Sequence, residues 1–383
     1  MIPIGLRIPV IVLEVSHLTN ETPNFLTIKQ SFKEIIMRKL LLGTTALAAA
    51  ASLSANVAVA DVSISGYYEW KYQSTSSDIA ANDGTTFGND SEIKFSFSNK
   101  TDSGLTLGLV TEMTADADDT VIDEASMSIS GGFGKLVLGG NDGVGDNYGV
   151  ASTDLPAEEI YAGVGTDNDM VLVNGAISNL AGDSNKISYH LPAMGGLTAG
   201  ASFTNSGAAG STDTTEFGAK YSMSAGGAAI TIGAGTATTE GASQDTDAQV
   251  MGIKVSSGNI TAAVSQSTYE AAGTAAVAAV AGSSIANFVA AVPATDASDE
   301  ESIGAAVSFA VNDSTTITVH TAETDDAVTT ESYSNSGIEI AYTVAPGLKA
   351  TINVEDYDYK AGNSANNTDN AGTASKFTIN ASF

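Results

Sequence analysis

Ser91-Glu92-Ile93-Lys94-Phe95-Ser96-Phe97-Ser98-Asn99-Lys100-Thr101-Asp102-Ser103-Gly104-Leu105-Thr106-Leu107-Gly108-Leu109-Val110-Thr111-Glu112-Met113 reads as strand, turn and strand. Ile93, Phe95 and Phe97 alternate with Lys94, Ser96 and Ser98, and Leu105, Leu107 and Leu109 resume the apolar phase after the turn formers Asn99 to Ser103. Side chains along a β-strand point alternately to opposite faces, so a period of two gives each segment one apolar and one polar side. Asn, Asp, Ser and Gly supply the backbone geometry that joins them.

The same unit recurs to the C-terminus. Segments of this kind lie near 62–72, 90–99, 104–113, 122–130, 134–140, 185–191, 196–205 and 213–222, then near 228–239, 246–255, 258–268, 300–310, 314–323, 334–343, 348–357 and 374–383. The last has the cleanest alternation, with Phe377, Ile379, Ala381 and Phe383 against Lys376, Thr378, Asn380 and Ser382. Connections alternate in length. Gly131-Gly132, Pro192-Ala193-Met194-Gly195, Ser256-Ser257-Gly258, Asn312-Asp313 and Ala345-Pro346-Gly347 are tight turns, while every second connection is long, about 8 to more than 40 residues. A soluble sandwich has no reason to alternate its loops so, and these Ala-rich strands would fill a core poorly, whereas lipid fills any outer surface. The fold expected is therefore all-β, a transmembrane 16-stranded antiparallel up-and-down β-barrel, wide enough to hold water. Tyr68, Trp70, Tyr72, Tyr189 and Tyr221 fall on apolar faces near strand ends, as an aromatic girdle at the lipid headgroups requires.

The first 60 residues stand apart from this pattern. Met37-Arg38-Lys39, the apolar run Leu40 to Leu53 and the small-residue site Ala58-Val59-Ala60 make residues 37–60 a secretory signal peptide. Residues 1–36 precede it as an extension best read as a start codon placed too early, which leaves 61–383 as the barrel domain. Cysteine is absent, so neither disulfides nor thiolate metal sites arise. From Asp61 onward 41 Asp and Glu face 10 Lys and no Arg, a net charge of −31 against −29 for the whole chain. Such a surface does not bind nucleic acid. No loop has the spacing of an EF-hand, and neither a cofactor nor a metal site is expected. Ala271 to Ala294 lacks charge but is too Ala-rich for a membrane helix and reads as an external loop.

Lys71, Lys94, Lys135, Lys186, Lys220, Lys254, Lys349 and Lys376 all fall in the polar phase of their strands and so should face the lumen. With both chain ends periplasmic, Lys71, Lys94 and Lys376 lie on neighbouring strands toward the outer mouth, where they could form one pore-lining basic stripe. The connection at about 141–184 is the longest. It holds Asp142, Asp146, Asp154, Glu158, Glu159, Asp167, Asp169 and Asp183, no Lys, and the apolar pieces Ile160-Tyr161 and Met170 to Val173. A loop waving in water has no need of those apolar pieces, so this third external loop is expected to fold inward against the barrel wall.

On these features the chain resembles the sixteen-stranded trimeric general-diffusion porins of Gram-negative outer membranes, the alphaproteobacterial branch above all. The resemblance spans roughly 61–383 and includes Asp61-Val62-Ser63-Ile64-Ser65-Gly66-Tyr67, the hairpin Ser91 to Met113, Phe133-Gly134-Lys135-Leu136-Val137-Leu138-Gly139 and the terminal Phe383. It implies passive diffusion of ions and small hydrophilic solutes through a water-filled channel and an outer-membrane location among lipid and lipopolysaccharide. It also implies a homotrimer, and a Phe383 read by the outer-membrane assembly machinery. It places acidic residues of the third loop across a constriction from a basic wall: Asp154, Glu158 and Glu159 match the acidic side. The basic side departs from the family, whose wall is rich in Arg. Lys71, Lys94 and Lys376 stand in, without the rigid fork that structures a transverse field. Carboxylates outnumber Lys about fourfold, so the expected preference is for cations.

Two other classes compete. An enzymatic barrel needs a nucleophile beside a His, and after residue 60 only His190 and His320 occur, neither in a nucleophile motif. An adhesin or structural barrel displaying acidic loops is the alternative function, favoured by the length of the connections 73–89 and 269–299.

Overall fold

A computed structural model of the chain describes residues 61–80, 83–114, 122–152, 155, 182–205, 212–240, 245–271, 297–362 and 369–383. All of them belong to the unit Ala58–Phe383. The signal-peptide and extension readings of residues 1–60 fall outside this set, as do Asp154, Glu158, Glu159, Ile160, Tyr161 and Met170 to Val173.

The strands are β1 (Asp61–Ser77), β2 (Gly84–Lys100), β3 (Thr106–Thr114), β4 (Ala125–Gly131), β5 (Gly134–Gly140), β6 (Asn185–His190), β7 (Leu197–Asn205) and β8 (Asp213–Ala225), followed by β9 (Ala228–Thr239), β10 (Thr246–Ser257), β11 (Ile260–Ala271), β12 (Ser298–Asn312), β13 (Thr315–Asp326), β14 (Ser332–Ala345), β15 (Leu348–Lys360) and β16 (Asn370–Ser382). Among the described residues a short helix, α1 (Val144–Tyr148), follows β5. Each strand pairs antiparallel with its neighbours in sequence, and β1 closes the sheet on β16. The expected sixteen-stranded barrel is thus the one observed.

Closure leaves no unpaired edge, which matters because a lone backbone N–H or C=O in hydrocarbon costs several kcal/mol. The outer face carries the apolar phase: Ile64, Leu109, Ile303, Val307, Ile338 and Ile352 all stand exposed. Trp70 stacks on Phe87 at 5.6 Å between ring centroids and meets Phe377 edge-on at 6.3 Å, which ties β1, β2 and β16 together across the closure. Such aromatic pairs add about 0.5–1.5 kcal/mol each beyond the area they bury.

Several strands run beyond their expected ends on the side of the long connections, β1 to Ser77 and β15 to Lys360. There Asp356, Asp358 and Lys360 occupy the exposed phase that Ile352 and Val354 hold lower down. The strand continues after it leaves the lipid, where the outward side chain no longer has to be apolar. β4 differs in the other direction and begins at Ala125 rather than near 122.

Phe383 completes the seam. Its N–H donates to the Gly66 carbonyl at 3.0 Å, and its own main-chain oxygen accepts from the Gly66 N–H at 3.1 Å. A Cβ at Gly66 would meet the Phe383 ring at 3.1 Å and press on the Glu92 carbonyl. Gly66→Val should therefore force the terminal ring off the wall and cost about 1–3 kcal/mol, as overpacking does. A lower temperature for loss of the fast-migrating folded form on gels checks it, and an unchanged transition would remove Gly66 from the seam.

Candidate functional site

The chain enters the barrel directly after β5. Gly139 has φ +122°, a conformation that L side chains rarely adopt, and a Cβ there would strike the Ala125 carbonyl of β4. Beyond it, residues 143–152 cross the inner faces of the strands from β6 to β11. Val144, Val150 and Ala151 are buried, and that apolar burial helps hold this part of the third long connection inside.

Polar contacts fix its position. α1 has Gly143 at its N-cap and no side-chain cap of its own. The wall supplies the missing acceptors: the N–H of Gly145 donates to Glu216 Oε2 at 2.9 Å, and that of Val144 to Ser202 Oγ at 3.2 Å. A carboxylate at the start of a helix satisfies an orphan donor and complements the positive end of the peptide dipoles. Lys186 Nζ stands 3.5 Å from Glu216 Oε1, with both side chains almost wholly enclosed at 0% and 1% exposure. The same ammonium donates to the Gly182 carbonyl. Farther along, Lys220 Nζ donates to the Asn147 carbonyl at 3.1 Å, and Tyr148 Oη and His190 Nδ1 share a hydrogen bond at 2.9 Å. Finally the Ser152 N–H donates to Ser265 Oγ at 2.7 Å, while that hydroxyl donates to Ser152 Oγ at 3.1 Å.

Where β4 starts, β5 ends and β6 starts, three acids converge. Carboxylate oxygens of Glu124, Asp142 and Asp183 all lie within 4.8 Å of one another. Burial, the hydrogen bond to Asp183 and the nearby charges of Asp142, Glu112 and Asp183 push the Glu124 carboxyl up to about 8. Burial and Asp183 also raise Asp142, against the opposing pull of Lys186. Once Glu124 has lost its proton, the three carboxylates could hold a divalent cation that keeps part of its water shell. Asp142 and Asp183 were among the acids of the long connection, but Glu124 carries no sequence signal of its own. Only the meeting of three strand ends brings it to them.

The three basic residues proposed as one stripe are placed as follows. Lys376 pairs with Gln73, two residues from Lys71, so these two are neighbours across the seam. Lys94 pairs with Ser65, six residues along β1 from Lys71 and so about 20 Å away at strand rise. Lys71 and Lys94 have carboxylate partners close by: Lys71 Nζ is 3.4 Å from Glu69 Oε1, and Lys94 is ion-paired with Glu112. These pairs make the wall a mosaic of both signs. The sequence also gave no cue to Lys186 and Glu216 as partners of the loop, or to Tyr148 as the partner of His190.

Over residues 43–379 the chain matches a sequence family described as Gram-negative porin. Solved structures agree in fold. An anion-selective porin from Comamonas acidovorans superposes with TM-score 0.58 at 16% identity, covering 85% of this chain and 100% of that one. OmpT, an outer membrane protein of Vibrio cholerae in a trimer form, gives 0.58 at 13% identity over 85% and 100%. A mutant of Rh. blastica porin gives 0.55 at 16% identity over 84% and 100%. Comparison with curated protein sequences gave no match.

Proposed function

Because the chain belongs to the Gram-negative porin family, an outer-membrane channel family rather than an enzyme family, we propose that it forms a water-filled pore for passive diffusion of small hydrophilic solutes with a preference for cations. The observation that carries this reading is the inward segment. A purely structural barrel has no need to hold residues 143–152 against the inside of its wall by contacts to six strands, β6, β7, β8, β9, β10 and β11. A channel does, because a fixed constriction sets which solutes pass.

The sign of the selectivity follows from where charge is left over. Along the wall, Glu69 with Lys71, Glu112 with Lys94 and Glu216 with Lys186 offset one another. Acid beyond these pairs lies on the wall at Glu300, Glu339 and Glu355, at the mouth where Asp142 and Asp183 meet beside Glu124, and in the long connections. Fixed charge at the entrance to a pore with low-dielectric walls concentrates counter-ions there, so cations enter in excess. Asp154, Glu158 and Glu159 belong to the same proposal as acids of the constriction, and Lys71, Lys94 and Lys376 as lumenal bases. We assign cleavage of a signal peptide at 37–60, recognition of Phe383 by the assembly machinery, and a homotrimer in contact with lipid and lipopolysaccharide. The trimer draws support from the trimer form of the Vibrio cholerae protein of like fold.

Planar-bilayer recording of the refolded 61–383 chain under a salt gradient tests the reading. Stepwise openings are expected, with a reversal potential on the cation side. Anion-side reversal would end the electrostatic argument, and a folded barrel without openings would end the channel assignment.

A further inference from the structure

Four glycines carry the contact between the inward segment and the wall. Gly218 on β8 faces the carbonyl oxygen of Val144, Gly235 on β9 that of Gly145, Gly233 on β9 that of Tyr148, and Gly252 on β10 that of Val150. A Cβ at any of the four would come within 3.0 Å of that oxygen, nearer than real Cβ atoms come to anything. The register makes them one continuous track, since Gly218 pairs with Gly235 and Gly233 pairs with Gly252. Glycine inside a strand weakens it and commonly marks close approach of another backbone. Here main chain lies directly on main chain, in the arrangement of Cα–H···O contacts.

We propose that this glycine track is the aperture-setting element of the pore: Gly218, Gly233, Gly235 and Gly252 act as positioning residues that let the segment 144–150 lie as near the wall as a backbone can. The inference rests on the channel reading above and deepens it. A methyl at Gly218 would start 2.5 Å from the Val144 oxygen, whereas ordinary contact begins at 3.4 Å, so the segment must advance toward the pore axis by roughly 1 Å. In a constriction on the order of 10 Å across, that removes roughly a fifth of the open area. The side chains at these positions never meet the solute. Their effect passes entirely through the segment they seat.

The experiment uses the absence of cysteine in the chain. Ser152→Cys with Ser265→Cys replaces two hydroxyls 3.1 Å apart and should give a disulfide that clamps the far end of the segment to β11. In that clamped background the segment cannot leave the wall. Gly235→Ala and Gly252→Ala should each lower single-channel conductance by roughly a fifth or more and shift the exclusion limit for neutral polymers to smaller sizes. Gly84→Ala, whose added methyl meets nothing within 4 Å, should change neither. If Gly235→Ala gives no barrel, Gly218→Ala replaces it as the test.

Unchanged conductance and exclusion limit in both alanine variants, or a rise in either, would overturn the proposal. So would failure of the disulfide to form, read on gels with and without reductant, because the segment would then not lie where the track requires. A disulfide that forms in a barrel that never conducts would instead bring down the channel reading, and the aperture role with it.

Discussion

Lys186→Met is expected to raise single-channel conductance and make it noisy, because it releases the inward segment from the wall. The wild-type ammonium has no water to fall back on, and the Glu216 carboxylate that caps α1 has no other cation beside it among the described contacts. Removing one member of an enclosed ion pair strands the other charge, typically at a cost of about 3–5 kcal/mol. The barrel has sixteen strands of hydrogen bonds to resist that penalty, but the segment has only a handful of contacts. The segment is therefore what gives way, and the ratio of seated to unseated conformations falls by roughly a hundredfold or more. Adding Glu216→Gln to Lys186→Met removes the stranded charge and keeps an amide oxygen to accept from the Gly145 N–H. The double variant should accordingly lie nearer to the parent in conductance noise than Lys186→Met does. Additive effects would mean that the two side chains do not act as a pair, and parent-like recordings from Lys186→Met alone would dissolve the assignment of this pair as the anchor.

That anchor was not legible in the sequence, although the barrel was. Phe377, Ile379 and Ala381 announce a lipid-facing phase because lipid imposes an unconditional demand on every outward side chain. The demand lapses where strands rise out of the membrane, which is why alternation alone ends β1 near 72 and β15 near 357 while the strands run on to Ser77 and Lys360. Inside the barrel no such demand exists. The partners of the segment lie 58, 71 and 113 residues away at Ser202, Glu216 and Ser265, and each is an ordinary lumen-phase polar residue until the register brings it under the loop. Inward folding of the third long connection was inferred from its acids and from Ile160-Tyr161 and Met170 to Val173. In the structure the described contacts with the wall come from Gly143 to Ser152, where valine, serine and glycine give no hint of a seat. Small side chains are what close backbone packing needs, and in a strand they look merely weak.

A second large effect is expected from pH. Glu124 keeps its proton at neutral pH because burial and the company of Asp183, Asp142 and Glu112 hold its carboxyl up to about 8. In the unfolded chain the same group would ionise near 4.5. Between those two values the folded state binds the extra proton, so the contribution of this group to stability is full below the lower value and is lost as pH rises through the upper one. The electrical consequence has the opposite sense for function. Raising pH through about 8 adds one fixed negative charge at the mouth, beside Asp142 and Asp183, with Lys94 and Lys186 the cations acting on the cluster. Cation selectivity should therefore climb between about pH 6 and about pH 10, while thermal resistance of the folded form declines between about pH 4.5 and about pH 8 and levels off above. Glu124→Gln keeps a neutral group of the same shape and should flatten both curves, fixing selectivity at its low-pH value. Reversal potentials recorded across that range for parent and variant decide the matter: a pH dependence that persists unchanged in Glu124→Gln would assign the titration to another group and leave the three-acid mouth without a role in selectivity.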